Sequence, residues 1–281
     1  MSSTAQLLPA SYALAAVFAW GFSDFLGGYA SRRANAFLLT AIAHLSALIF
    51  MASIATATHA PFPARSAVLW ALAGGISGGG ALAIFYRALA TGRMGLTAPV
   101  AAVLGAAIPV AFGMVREGLP HTAQIAGFLL AVIGIWLISR SEDGSRPEGI
   151  GMAALAGIGF AGFYLCVKQT GDSSALWVAA VAKISSFTLT AALVLLGPKV
   201  SRIAGRSIAF GVIAGCLDIT GSVLYIRASQ TGRLDVAVVL SSLYPAVTVL
   251  LARFVLHEHF TRWKAVGMFA ALAAVPMIAL Q

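Results

Sequence analysis

Apolar residues along this chain form ten long runs, separated by short polar or basic segments. Most runs are about 20 residues long, the length that a helix needs to cross a bilayer, and they lack the alternation typical of barrel strands. Because lipid offers the backbone no hydrogen-bond partners, such spans must be helices. The pattern predicts an all-α integral membrane protein with ten transmembrane helices near residues 11–30, 35–57, 66–90, 94–115, 121–139, 149–168, 174–197, 206–229, 233–256 and 262–280.

The most polar connection, SRSEDGSRPEG, lies at the midpoint of the chain and separates two halves of five runs each. The halves repeat each other in sequence. Arg87 and the triplet TGR at 91–93 return as Arg227 and TGR at 231–233, both at a spacing of 140 residues. Two hydrophobic halves can share scattered alanines by composition alone, but a repeated TGR triplet indicates an internal duplication.

A second pair of related segments contains an ionisable residue in each copy. AIAHLSA at 41–47 aligns with AVAKISS at 180–186, which places His44 opposite Lys183. Both residues lie in the middle of apolar runs. The duplication therefore predicts that the two side chains occupy equivalent positions in the two halves.

The odd number of spans in each half determines how the halves are oriented. The second half must enter the membrane from the opposite side, so the halves form inverted repeats around a central cavity. Many secondary transporters have this architecture and bind substrate near the midplane between the repeats. We expect a first five-helix unit at 1–140, a polar linker at 141–148 and a second unit at 149–281.

These features resemble the drug/metabolite transporter superfamily, specifically its EamA-type members. The resemblance rests on the ten spans in two halves, on Glu117 followed by Gly127 and Glu258 followed by Gly267, and on Pro245 late in span nine. It covers nearly the whole chain. It implies small-molecule transport, often export of amino acids or other metabolites, by helices bundled around a central cavity.

Composition supports the membrane assignment. The chain is 60% hydrophobic and only 10% charged, with a mean hydropathy of +0.93, whereas about 25% of residues are charged in a soluble domain. Its net charge of +9 comes from basic residues scattered at the ends of the apolar runs, so we expect membrane lipid and no nucleic acid as a partner. Cys166 and Cys216 lie in apolar runs without a CxxC or histidine spacing, which favours packing and predicts no disulfide, metal or other cofactor.

Basic residues also bear on orientation in the membrane. Of the 18 lysines and arginines, 12 lie at the loops that follow the odd-numbered spans. The positive-inside rule then puts both termini outside the cytoplasm of a bacterial inner membrane. The sequence leaves open whether the protein is a monomer or a dimer.

Four ionisable residues within the spans are the candidate substrate or coupling residues: His44, Lys183, Asp218 and Asp24. A charge at the centre of a bilayer costs a few kcal/mol or more, so those retained face a cavity, pair with each other or have a function. Lys183 and Asp218 lie at similar depth on consecutive spans. They either lock two helices together as an ion pair, or Lys183 binds a substrate carboxylate or phosphate while Asp218 attracts an amine or changes protonation during transport.

Two of these candidates have further alternatives. His44 is either a buried packing histidine or a cavity residue, and since histidine titrates near neutral pH it can carry a coupled proton. Asp24 lies in the cavity or, if span one is shifted by a turn, near the interface. Aromatic residues within spans one, six, nine, three and eight predict a cavity wall made of Trp20, Tyr164, Tyr244, Tyr86 and Tyr225. An acid, a base and aromatic walls fit an amphiphilic zwitterion, so an aromatic or apolar amino acid is the predicted substrate.

Other motifs leave alternatives to be weighed. Within GGISGGG at 74–80, the segment Gly75 to Gly78 matches the GxSG of intramembrane serine proteases with Ser77 as nucleophile, although small residues at this spacing also serve close helix packing.

No ATPase motif is present, so a gradient, of protons for example, or facilitated exchange drives transport. Pro99 and Pro245 are hinge candidates for alternating access. A phosphorylated or lipid-linked metabolite is the alternative substrate.

Overall fold

The computed structural model describes residues 3–117, 122–139, 148–197, 203–231, 237, 240–258 and 261–279. Over these ranges the chain forms ten helices and no strand. In chain order they are α1 (Ser3–Ser31), α2 (Ala36–Ala57), α3 (Arg65–Thr91), α4 (Met94–Glu117), α5 (Thr122–Ser139), α6 (Ile150–Lys168), α7 (Ala175–Leu196), α8 (Gly205–Thr231), α9 (Tyr244–Val255) and α10 (Arg262–Ala279). The prediction of an all-α fold with five helices in each half is confirmed.

The composition of the helices makes this a multi-pass membrane protein. In the part of the chain that the structure describes, α2, α3, α6, α7 and α8 are long and apolar enough to cross a membrane by length and composition. Shorter apolar segments of 10–17 residues lie in α4, α5, α9 and α10. Large apolar side chains such as Trp136, Phe254 and Leu196 are exposed on the outside of the bundle. Soluble proteins rarely expose so much apolar surface, so this outer face is the one that contacts lipid.

Helices pack mainly across the boundary between the halves, and they do so symmetrically. With each helix of the first half matched to the helix five later, the packing of α1 on α8 corresponds to that of α6 on α3, and α2 on α8 corresponds to α7 on α3. The packing of α1 on α9 corresponds to that of α6 on α4, whereas α2 on α7 and α5 on α10 are their own counterparts. This correspondence between the helix contacts of the two halves is the signature of inverted repeats.

Individual hydrogen bonds repeat the same symmetry. The Ser185 hydroxyl on α7 donates to the Leu72 carbonyl on α3 at 2.7 Å. The Ser46 hydroxyl on α2 donates to the Val212 carbonyl on α8 at 3.4 Å. Each pair is the repeat counterpart of the other, so the duplication seen in sequence is preserved in the contacts between helices.

Glycines bring the same helix pairs into close contact. A Cβ atom at Gly75 would overlap the Ala182 carbonyl, and a Cβ at the repeat-related Gly215 would overlap the Ala43 carbonyl. Helices in lipid associate through such close backbone approaches because lipid tails provide no hydrophobic force that drives them together. The glycines therefore fix the distance between α3 and α7 and between α2 and α8.

The first helix starts earlier than the sequence predicts. It begins at Ser3 rather than near residue 11 and includes Pro9. A proline inside a helix lacks one backbone N–H donor. The helix nevertheless continues through Pro9, so a proline near the start of an apolar run did not mark the helix boundary.

Span nine is interrupted by a turn. The backbone turns at 242–243, where the Leu243 N–H donates to the Leu240 carbonyl at 3.2 Å, and α9 begins at Tyr244. Pro245 lies in the first turn of α9, a position where its missing N–H leaves no helical bond unmade. The sequence predicts span nine at 233–256 with Pro245 as a hinge candidate, and the turn lies just before that proline.

The loop between α9 and α10 is bonded to the first half through Glu258. Its carboxylate accepts hydrogen bonds from Arg32 Nη2 at 2.9 Å, from the Met94 N–H at 3.1 Å and from the Gly95 N–H at 3.2 Å. Arg253 Nη1 donates to the backbone carbonyl of Glu258 at 3.0 Å. A carboxylate at a helix N-terminus satisfies free N–H groups and is stabilised by the helix dipole. Glu258 thus joins the second half to the end of α1 and the start of α4.

Candidate functional site

A cavity lies between the two halves of the bundle, and its empty space of about 540 Å³ includes the part that is open to the outside. Helices α1 and α3 of the first half and α6 to α9 of the second half contribute to its wall. The lining contains three charged side chains, two serine hydroxyls, five aromatic rings and the glycine-rich face of α3. Its position between inverted repeats is the one where secondary transporters bind substrate.

An ion pair between α7 and α8 is the main polar feature of the cavity. Lys183 Nζ lies 2.5 Å from Asp218 Oδ2, and both residues are 8% exposed. In surroundings of low polarity each charge alone would be strongly unfavourable, whereas the pair neutralises both. The lysine in the middle of an apolar run thus has an acidic partner on the next helix.

The backbone of Asp218 is also held by a contact from the first half. Its carbonyl accepts hydrogen bonds from Trp20 Nε1 at 3.1 Å and from the Ser222 hydroxyl at 2.9 Å. A Cβ at Gly221 would overlap the Trp20 ring, so the glycine makes room for the indole. Helix α1 is therefore fixed against α8 at the residue that carries the carboxylate.

Asp24 is the third charged residue of the cavity. It follows Trp20 by four residues, which puts both on one face of α1, and it is 5% exposed. No hydrogen bond joins its carboxylate to any residue that the structure describes, although it interacts electrostatically with Asp218. With Lys183 neutralised by Asp218, the carboxyl group of Asp24 has no cationic partner on the described cavity lining.

Aromatic rings form one wall of the cavity. The Trp20 ring lies 6.2 Å from that of Tyr164 and 6.0 Å from that of Tyr244 between centroids. Tyr225 packs behind them, 5.7 Å from Trp20 and 4.9 Å from Tyr164, and is fully buried outside the cavity. A continuous aromatic surface next to carboxylates suits an apolar or aromatic group that bears a cation.

Sequence reasoning missed several residues that line the cavity close to the predicted ones along the same helices. These are Ser186 and Ser222, Phe160 and Phe163, and the glycines of the GGISGGG run. Ser186 lies in the same AVAKISS segment as Lys183, three positions further on, so helical periodicity was the signal that could have found it. The glycine run serves packing on α7 and also leaves open space at the cavity.

A family model matches this chain twice, over residues 7–140 and over residues 147–280, and it describes the EamA-like transporter family. The chain belongs to the EamA-like transporter family. It is therefore a multi-pass membrane transporter of small molecules. A crystal structure of another protein superposes with a TM-score of 0.71 at 18% sequence identity, covering 100% of this chain and 99% of that one. At this identity the likeness establishes the fold alone. No curated protein matches the chain.

The charges of this EamA-like transporter break the symmetry of its repeats. Continued along the helices, the repeat alignment places Gly78 opposite Asp218 and Leu165 opposite Asp24. Lys183 has a histidine as its counterpart. The two halves thus share a scaffold, but the charged groups at the cavity occur at positions that the other half fills differently.

His44 lies beside the cavity of the EamA-like transporter rather than on its described lining. It is completely buried on α2, and its Nε2 lies 3.4 Å from the carbonyl of Gly79. Its Nδ1 has no hydrogen-bond partner among the described residues, and the ring interacts electrostatically with Lys183. His44 thus contacts the glycine-rich segment of α3 without belonging to the described cavity lining.

Tyr86 and Ser77 also have contacts away from the cavity lining. Tyr86 is fully buried, and its hydroxyl lies 3.2 Å from the Ser23 hydroxyl on α1. The Ser77 hydroxyl donates to the Gly159 carbonyl on α6 at 2.8 Å. Both residues join α3 to a neighbouring helix, and for Ser77 this contact is the packing role that its glycine-rich surroundings predict.

The two hinge candidates differ in their surroundings. Pro99 is buried inside α4, which continues as one helix from Met94 to Glu117. Pro245 follows the interruption of span nine, next to the cavity residue Tyr244. Interrupted helices at the midplane are a recurrent feature of transporter binding sites.

Proposed function

We propose that this protein is a secondary active transporter that exports a small metabolite by alternating access, with an aromatic or apolar amino acid as its substrate. The observation that carries the proposal is the presence, in one cavity, of a carboxylate, an acid–base pair and a set of aromatic rings. A zwitterion with an apolar side chain needs each of these groups. We further propose a bacterial inner membrane location, with the basic loops facing the cytoplasm.

The arrangement suggests how such a substrate would bind. The ammonium group would lie at Asp24, and its aromatic or aliphatic side chain would pack on Trp20 and Tyr164. The carboxylate would reach Lys183 by taking the place of Asp218 in the ion pair. Substrate binding and rearrangement between α7 and α8 are then the same event.

Alternating access follows from the inverted repeats. The two halves can exchange conformations about the cavity, which exposes it to one side of the membrane and then to the other. The turn before Tyr244 and the buried Pro99 are the positions where helices next to the cavity can bend. A gradient provides the energy for net export.

A phosphorylated or lipid-linked substrate would require an excess of basic groups. The described lining has two carboxylates and one ammonium group, and His44 lies behind it. A phosphate would have to displace Asp218 and would still face Asp24. The charge of the cavity therefore favours the zwitterion over the phosphate ester.

Counterflow of radiolabelled phenylalanine, leucine and a phosphate ester into proteoliposomes tests the proposal. We expect uptake of the amino acids alone, loss of uptake in Lys183→Met and Asp218→Asn, and no recovery in the double variant. Lys168→Met and Asp172→Asn, which change exposed residues of the same types, serve as matched controls. Recovery of full uptake in the double variant would mean that the pair only locks two helices together.

A further inference from the structure

We propose that Asp24 exchanges one proton for the ammonium group of one substrate molecule, so that this single carboxyl couples export to the proton gradient. The proposal rests on the proposed function and goes beyond it by assigning the coupling ion and the residue that binds it. The described cavity lining contains two carboxyl groups and one ammonium group, so one carboxyl group has no cationic partner.

The ion pair decides which carboxylate is available. Asp218 is bonded to Lys183 by its side chain and to Trp20 by its backbone. The carboxylate of Asp24 accepts no hydrogen bond from the described residues, and yet Asp24 is only 5% exposed. A carboxylate in such a place is stable only with a proton or with a bound cation. The empty carrier therefore favours the protonated form, and a substrate ammonium group replaces the proton.

The groups around Asp24 favour this exchange. Asp218 on α8 repels a negative charge at Asp24, and the tyrosines that interact electrostatically with Asp24 are Tyr86 on α3, Tyr164 on α6 and Tyr244 on α9. Lys183 on α7 is the cation on the same cavity, but Asp218 holds it. His44 on α2 interacts with Lys183 and does not line the cavity. None of these neighbours supplies Asp24 with a lasting positive charge.

The exchange is balanced in atoms and charge. On the side where substrate enters, the O–H bond of protonated Asp24 breaks, the proton leaves to water, and the carboxylate binds the incoming R–NH₃⁺. On the other side the ammonium group leaves as the carboxylate takes a proton from water. At Asp24 itself one positive charge replaces another, but the carboxylate of a zwitterionic substrate adds one negative charge to the site, so each exchange also moves one net charge across the membrane. With phenethylamine, a cation, the site carries the same net charge in both loaded forms.

Proton release on binding is the direct test, with phenylalanine and phenethylamine as probes of the purified wild-type transporter in weakly buffered detergent solution. We expect about one proton released per probe bound wherever Asp24 starts protonated, and affinity that rises with pH until Asp24 is ionised throughout. Asp24→Asn should bind more weakly, release no proton and lose the pH dependence. Asp24→Glu should restore release, and Asp172→Asn, a matched change at an exposed aspartate, should behave as wild type.

A substrate-free measurement separates this inference from the proposed function. Infrared difference spectra between acidic and alkaline pH should contain the band of a protonated carboxyl group that disappears in Asp24→Asn and shifts in Asp24→Glu. If wild type transports none of the probes but keeps this band, the amino-acid substrate is wrong and the protonation of Asp24 stands. If probes bind without proton release, or if the band persists in Asp24→Asn, the coupling role of Asp24 is wrong.

Discussion

Arg32, at the end of the first helix, is paired with Glu258, in the loop before the last helix, with 2.9 Å between Nη2 and Oε1. The same carboxylate accepts two backbone N–H groups at the start of α4. Glu258 is one of the two glutamates by which the sequence resembles its family. In this conformation it holds the two repeats together on one side of the membrane.

Replacing Glu258 should weaken this contact between the two repeats. Glu258→Ala removes a helix cap and an ion pair, and we expect a loss of about 1–2 kcal/mol of stability. Arg32→Gln removes the ion pair alone and should have a smaller effect. A double-mutant cycle of thermal unfolding in detergent measures the coupling. Additive effects of the two changes would contradict the contact.

The Lys183–Asp218 pair should respond differently to single and double changes. Lys183→Met or Asp218→Asn leaves one buried group without its partner, and each should destabilise the protein by several kcal/mol. The double variant should regain most of this stability because no unpaired charge remains. Thermal unfolding of the three proteins checks the expectation, and a double variant less stable than either single one would refute it.

Glycines at the helix contacts should be intolerant of a methyl group. Gly75→Ala and Gly215→Ala each put a Cβ against a backbone carbonyl of the facing helix, and both should lower the melting temperature markedly. Gly151→Ala is the control, because no atom lies within 4 Å of its added Cβ. There the change should be neutral or stabilising by about 0.5–1 kcal/mol. Equal melting temperatures for all three variants would argue against the close approach.

Two buried tyrosines should differ on loss of the hydroxyl. Tyr86→Phe breaks the contact with Ser23 and should cost about 1 kcal/mol. The Tyr225 hydroxyl has no partner among the described residues, so Tyr225→Phe should leave stability unchanged or raise it. Thermal unfolding of both variants side by side tests this, and a larger loss for Tyr225→Phe would require a bond that the structure lacks.

The sequence predicts the fold well because lipid leaves the backbone few choices. Runs of apolar residues must be helices, and the TGR duplication is enough to predict inverted repeats. The similar depth of Lys183 and Asp218 on consecutive spans also predicted that the two side chains can form an ion pair. Depth does not determine which way a helix faces, however, and for that reason His44, Tyr86 and Tyr225 were expected at the cavity but lie outside its described lining.

Local backbone choices were harder to predict. The turn at 242–243 lies in an apolar run whose composition favours a helix, and only Pro245 signals that something changes there. The cavity face of GGISGGG was not predicted, because a sequence does not reveal the open space beside a glycine. The side chain of Glu117, the family glutamate of the first half, lies outside the described residues, so its expected resemblance to Glu258 stays a prediction.

The interruption before Tyr244 has a counterpart helix, α4, that runs unbroken through Pro99. If the two halves were identical, the inward-open and outward-open forms would be related by a two-fold rotation and would have equal free energy, and an empty carrier would divide its time evenly between them. An interrupted helix in only one half makes the free energies of the two forms unequal. The unloaded protein should therefore rest facing one side of the membrane, and the return of the empty carrier should run at a different rate in each direction.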